Sequence, residues 1–245
     1  MLPDSVIAMR MGGSMKTIGV LGGMGPVVTA EFYSRILKLC EREHGAVQDG
    51  DYPHILINSM SLKGSSESGI RNAKVLEREH VDGIRKLDRA GCDFVVIPCN
   101  TAHHFVERLR KESRTPILSI IDLAVARAAK VGMRRIGLLA SESTYEHGLY
   151  KRPLAARGME AVYPKPREIK ELTAIVLDIM GGDRNERDRN TIRRIVRRMR
   201  KEDKIDGVIV GCTELSLVLH AGKYPVRAVD AMDTLAEAAV KNAYG

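Results

Sequence analysis

Short runs rich in β-branched and other apolar residues alternate along this chain with longer stretches whose apolar residues recur at spacings of three and four. The short runs read as strands at Lys16–Leu21, His54–Met60, Phe94–Pro98, Ile117–Ile120, Arg135–Ala140, Gly207–Val210 and Val226–Val229. The longer stretches read as amphipathic helices at Val27–Glu41, Asn72–Ala90, Asp122–Val131, Glu168–Met180 and Asp233–Ala239. Regular alternation of the two is the mark of βαβ units around a parallel sheet, so the expected class is α/β.

The second half of the pattern repeats the first. Lys16-Thr17-Ile18-Gly19-Val20-Leu21 is similar to Arg135-Ile136-Gly137-Leu138-Leu139, with the glycines 118 positions apart. Asp93-Phe94-Val95-Val96-Ile97-Pro98-Cys99-Asn100-Thr101 is similar to Asp206-Gly207-Val208-Ile209-Val210-Gly211-Cys212-Thr213-Glu214, with the cysteines 113 apart. Two such nearly equal separations predict two related Rossmann-like lobes. Residues 1–119 with 224–245 form the N-terminal lobe carrying Cys99, and residues 120–223 the C-terminal lobe carrying Cys212; the last strand and helix return to the first lobe. Both cysteines end an apolar strand. Open α/β sheets bind ligands beyond the carboxyl ends of their strands, so facing lobes would put both thiols on one cleft.

Composition narrows the partners. With 245 residues and 44% hydrophobic residues the chain can build substantial cores. No apolar run approaches the roughly 18 residues of a membrane span. Asp4 and Arg10 interrupt Met1–Ser14, leaving no apolar core of a secretory signal, and the cytoplasm is the expected compartment. Four cysteines in so long a chain read as free thiols. The net charge of +8 raises nucleic acid as a partner, but three Phe, seven Tyr and no Trp offer few stacking platforms. Much of the excess lies between Arg184 and Lys204, where Ile192, Ile195, Val196 and Met199 are helically spaced among arginines. That stretch reads as a helix with a solvated face rather than a polyanion site.

A thiol at a strand end, close to the N–H groups of the next helix, is expected to have a lowered pKa and to serve as a base. Two such thiols on opposite faces of a bound molecule can remove a proton from one side and return it from the other, inverting a stereocentre. A carbon acid beside a carboxylate also needs fixed donors for the developing enolate charge. Asn100, Thr101 and Thr213 are candidates, and Gly22-Gly23-Met24-Gly25-Pro26 is either an anion-cradling turn into a helix or a plain tight turn. Cys40 and Cys92 lack this setting and read as packing residues. His103 and His104 complete Cys-x-x-x-His-His with Cys99, but no second ligand cluster accompanies them, so they read as a helix-start pair near the site and no metal is expected.

Cys99-Asn100-Thr101, Gly211-Cys212-Thr213-Glu214 and Gly22-Gly23-Met24-Gly25-Pro26 resemble the aspartate/glutamate racemase family across Lys16–Val240. The resemblance implies two lobes related by a pseudo-twofold, a homodimer, and racemisation of a small amino acid without pyridoxal phosphate, metal or other cofactor. It implies Cys99 and Cys212 as the acid/base thiols, and Met24, Ser65, Ser66, Asn100, Thr101, Ala102, Lys170 and Thr213 as substrate-binding residues. Aspartate and glutamate are the first expectation. One departure bears on that: an ungapped reading puts Ser65 where aspartate racemases of this type place a carboxylate-clamping arginine. Either Lys63 compensates or Ser65 and Ser66 favour another amino acid. Related reactions on the same fold, maleate isomerisation and hydantoin racemisation, are the alternative.

Overall fold

The structure, a computed structural model, describes residues 15–66, 69–219 and 224–245. The leading segment 1–14, the Ser66 side chain and much of the anticipated return segment near Gly222 lie outside the described residues.

The first half folds as β1 (Ile18–Gly22), α1 (Pro26–His44), β2 (Ile55–Ser59), a small antiparallel hairpin β3 (Ser65–Ser66) and β4 (Gly69–Ile70), α2 (Ala73–Ala90) and β5 (Phe94–Val96). A 3-10 turn (Thr101–Phe105), α3 (Val106–Glu112) and β6 (Ile117–Leu118) follow. The second half contains α4 (Ile120–Lys130), β7 (Arg135–Ala140), α5 (Glu142–Glu146), α6 (Lys151–Ala155), β8 (Glu160–Val162) and α7 (Pro166–Met180). It ends with α8 (Glu186–Glu202), β9 (Gly207–Gly211), α9 (Thr213–Leu219), β10 (Arg227–Asp230) and α10 (Ala231–Tyr244).

Two parallel four-stranded sheets result, in the orders β2-β1-β5-β6 and β8-β7-β9-β10. Numbered within its own half, each sheet reads 2-1-3-4. This is the α/β architecture with a duplicated lobe that the sequence pattern predicts. It pairs β5 with β9 as equivalent third strands, and these are the strands that lead to Cys99 and Cys212. The paired glycines have the same packing reason in each lobe. A Cβ on Gly19 would lie 2.7 Å from Cys92 Sγ, and one on Gly137 2.8 Å from Ile205 Cδ1, so each first strand leaves room for the layer outside it.

The last strand corrects one expectation. Arg227–Asp230 pairs in register with Gly207–Val210 of β9, so it completes the second sheet rather than returning to the first. The following helix is what reaches back: α10 packs on α4 and on α1. Those three helices form a middle layer between the sheets. Its buried residues Phe32, Ile36, Ala124, Leu235, Ala236 and Ala239 join Ile18 and Val20 of one sheet to Ile136, Leu138 and Ile209 of the other in one continuous core. Separate cores lie outside each sheet, under α2 in the first lobe and under α7 and α8 in the second. A buried cation also joins the lobes: Arg35 on α1 bonds Asp233 Oδ1 at 2.5 Å, with Asp230 Oδ1 at 3.8 Å.

The arginine-rich helix α8 buries Ile192, Ile195, Val196 and Met199. Its guanidinium groups meet neighbouring acceptors: Arg189 bonds the Val218 carbonyl, Arg193 bonds Glu186, Arg194 bonds Glu171, Arg198 bonds Glu168, and Arg200 bonds the Pro225 carbonyl. No helix among the described residues is long and apolar enough to cross a membrane.

Candidate active site

The carboxyl ends of β1, β5, β7 and β9 converge on one cavity of about 350 Å³. Cys99, Asn100, Thr101 and Ala102 enter it from the end of β5, and Gly211, Cys212, Thr213 and Glu214 from the end of β9. Gly23, Met24, Gly25 and Pro26 line it after β1, and Ser141 after β7. Ser65, Gly69, Leu62, Leu76 and His80 close the first-lobe side, Val176 and Met180 the second.

The glycine turn is built rather than incidental. Gly23 has φ of +95°, and a Cβ there would come within 2.1 Å of the Met60 carbonyl oxygen. Thr29 locks the turn onto α1, accepting from the Gly23 N–H at 2.8 Å and donating to the Gly25 carbonyl at 3.0 Å. Pro26 then opens the helix where no N–H is needed.

Asn100 is 3% exposed, and its carbonyl oxygen accepts from Tyr150 Oη, a residue of the second lobe, at 2.6 Å. The Asn100 side-chain nitrogen is buried without a hydrogen-bond partner among the described residues. A buried unpaired donor costs about 1–3 kcal/mol, a penalty an anionic ligand would remove. Thr101 Oγ1 lies 3.0 Å from Ser141 Oγ, a second tie between the Cys99 loop and the opposite lobe.

The two thiols have different neighbours. Behind half-buried Cys99, the His103 Nδ1–H donates to the Cys99 carbonyl at 2.8 Å while Nε2 accepts from the Ile120 N–H at 3.2 Å. His103 is thereby held in one neutral tautomer, and burial lowers its pKa to about 4. His104 instead stacks against His147, ring centres 4.0 Å apart. The buried Cys212 Sγ–H donates to Glu214 Oε2 at 3.2 Å, and Thr213 Oγ1 to the same oxygen at 3.3 Å.

The thiol pKa values run opposite to expectation. Cys99 is pushed up to about 12, by burial first and the Glu214 carboxylate second, and Cys212 is raised well above the ordinary thiol range by the same two causes. Backbone N–H groups of Ala102 and Thr101, and of Leu215 and Glu214, do favour the thiolates, but less than desolvation and like charge oppose them. Both groups are therefore thiols at neutral pH.

Of the sequence candidates, Cys99, Cys212, Met24, Ser65, Asn100, Thr101, Ala102 and Thr213 come together around this cavity. Lys170 does not. It is exposed on α7, where Val176 and Met180 face the cavity; six residues before Val176 puts Lys170 roughly 120° round the helix from that face. Lys63 is also exposed and outside the lining. Cys40 and Cys92 pack in separate cores, as their sequence settings suggest. Sequence reasoning gave Glu214 no role, although it is the last residue of the motif Gly211-Cys212-Thr213-Glu214. It also missed Tyr150, Ser141, His80, Val176 and Met180, whose role depends on the meeting of the lobes.

Comparison with known proteins agrees with this geometry. The model of the family described as Asp/Glu/Hydantoin racemase matches residues 21–239. The broad specificity amino-acid racemase RacX of Bacillus subtilis (strain 168) is 26% identical over 223 residues, covering 91% of this chain and 96% of that one. Glutamate racemase of Aquifex pyrophilus is 29% identical over 170 residues, 68% of this chain and 63% of that enzyme. The crystal structure of an aspartate racemase homologue from Pyrococcus horikoshii OT3 superposes with a TM-score of 0.80 at 26% identity, covering 94% of this chain and all of the other. With a duplicated two-lobe fold, a cysteine at each equivalent strand end and a family match over most of its length, this chain belongs to the Asp/Glu/hydantoin racemase family of isomerases.

Proposed function

We propose that the protein racemises a free α-amino acid by a two-base mechanism in which Cys99 and Cys212 exchange the Cα proton. The observation that carries this reading is that Cys99 and Cys212 enter one cavity from topologically equivalent strands of two facing lobes. One thiolate removes the α-proton while the opposite thiol delivers one to the other face of the planar carbanion; in the reverse direction the roles exchange. Asn100, with its unpaired amide, and the Thr101 and Thr213 hydroxyls supply donors for the α-carboxylate as enolate charge develops. The Glu214 carboxylate is a partner for the α-ammonium. No step calls on a cofactor. The family resemblance favours aspartate and glutamate as substrates, and a cytoplasmic homodimer goes with the same reading.

The test is racemisation by the reduced full-length chain and its Cys99→Ala and Cys212→Ala variants, followed by polarimetry or chiral chromatography. Either variant is expected to lose racemisation of both enantiomers. Undiminished turnover in either would overturn the mechanism. A covalent cysteine adduct trapped in quenched turnover would point instead to nucleophilic addition, as in the related isomerisation chemistry.

A further inference from the structure

The cavity lining carries further the departure from the family pattern seen at Ser65. Among its described residues none is Lys or Arg, and the one carboxylate is Glu214. His80, the only histidine among them, is buried and has its pKa lowered by desolvation; its Nδ1 lies 2.6 Å from the Leu76 carbonyl and its Nε2 2.9 Å from Met24 Sδ. It supplies no cation at neutral pH. Away from the thiols the wall is apolar: Met24, Leu62, Leu76 and Val176, with Met180, 46% exposed, at the rim.

A zwitterionic amino acid with a neutral side chain suits this lining. Its ammonium has Glu214, its carboxylate has the donors of the Cys99 loop, and its side chain has the apolar wall. A dicarboxylic amino acid would bring a second carboxylate into a cavity that already holds Glu214 and whose described lining contains no Lys or Arg. An uncompensated buried charge costs several kcal/mol, far more than a methylene gained or lost. Resting on the racemase reading above, we infer that the substrate carries an uncharged aliphatic or thioether side chain, with methionine and leucine representing the class, and that aspartate and glutamate are discriminated against.

The experiment measures kcat/KM for Cα-proton exchange in deuterated buffer by NMR, using the reduced full-length chain with L-methionine, L-leucine, L-aspartate and L-glutamate. Methionine or leucine is expected to exceed aspartate by on the order of 100-fold. Exchange of aspartate or glutamate at an equal or higher rate would overturn the inference while leaving the racemase reading intact. Absence of exchange with all four, under conditions where both thiols titrate as free, would overturn the racemase reading as well. Ser65→Arg supplies the converse arm by adding a guanidinium at a cavity-lining position. It is expected to raise the aspartate-to-methionine ratio by roughly tenfold or more. A folded, active Ser65→Arg chain with an unchanged ratio would show that the missing cation is not what sets the preference.

Discussion

At the Cys99 end the chain leaves β5 through a 3-10 turn, a neutral histidine grips the carbonyl of the cysteine itself, and Asn100 and Thr101 are tied to Tyr150 and Ser141 of the opposite lobe. At the Cys212 end β9 runs directly into α9, and the thiol and Thr213 both donate to a carboxylate two and one residues away. Duplication of a 2-1-3-4 sheet gives the two ends matching backbones, and so brings a thiol from each lobe to one cavity. It does not give them matching hydrogen-bond partners. Glu214 raises both thiols electrostatically but is hydrogen-bonded only to Cys212, whereas the Cys99 loop depends on the other lobe for its shape. Symmetry places the two thiols; local side chains give each its own partners.

The sharpest way to break this comparison is to remove one thiol at a time and ask which enantiomer still reacts. Cys99→Ser and Cys212→Ser should each lower racemisation by roughly a thousandfold or more, as expected for groups acting as a unit. If the thiols serve opposite faces, residual deuterium wash-in at Cα should belong to opposite enantiomers in the two variants. Residual exchange of the same enantiomer in both would mean that the ends are not functional mirror images.

Acid should distinguish the ends next. His103 is neutral in the fold with a pKa lowered to about 4 from an ordinary 6.5, so the unfolded chain binds more protons between those values. Its contribution is fully present above the unfolded pKa and is lost as pH falls from about 6.5 towards 4. The shift is worth up to about 3 kcal/mol. Asp122 favours its protonation, while Arg110 and His80 oppose it, so burial sets the direction. Thermal melts from pH 7 to 4 should lose stability through this window, and His103→Gln should flatten that part of the profile. Hydrogen exchange at pH 5 should show early opening at Thr101–Phe105 and not at Thr213–Leu219.

How much of this was legible in the chain follows from which interactions are local. Strand periodicity and the Gly19/Gly137 and Cys99/Cys212 pairs are local signals, so the α/β class, the duplication and the converging thiols could be read directly. The final strand was assigned to the wrong sheet because Val226–Val229 is an apolar run with no mark of its partner; only pairing with β9 decides it. The Ser65–Ile70 hairpin and Glu160–Val162 are too short to give a period. Lys170 lies outside the described lining for a rotational reason, since a motif match fixes a position along a helix but not its face. The thiol pKa shifts run against the sequence expectation because the N–H groups are visible in sequence, while the burial that outweighs them is created by the fold.

Glu214→Gln tests the asymmetric carboxylate. Removing its charge should lower both thiol pKa values, so the rise of kcat/KM with pH that marks thiolate formation should move to lower pH. Loss of the ammonium's partner should raise KM by about tenfold, in line with a charge-assisted hydrogen bond. A pH profile that stays in place would remove Glu214 from the account of why the two ends differ.

The smallest effect expected is at the joint that shapes the Cys99 loop. Tyr150→Phe keeps the buried ring and deletes only the hydroxyl that holds the Asn100 carbonyl oxygen. Freed to rotate, the Asn100 amide no longer presents its nitrogen in a fixed direction, and one hydrogen bond of about 1 kcal/mol corresponds to a roughly fivefold fall in kcat/KM. If Tyr150 acts only through Asn100, the double variant Tyr150→Phe with Asn100→Ala should be no slower than Asn100→Ala alone. Additive losses would mean instead that Tyr150 supports the second lobe's wall independently. The dependence of the Cys99 end on its neighbour would then rest on the Thr101–Ser141 contact.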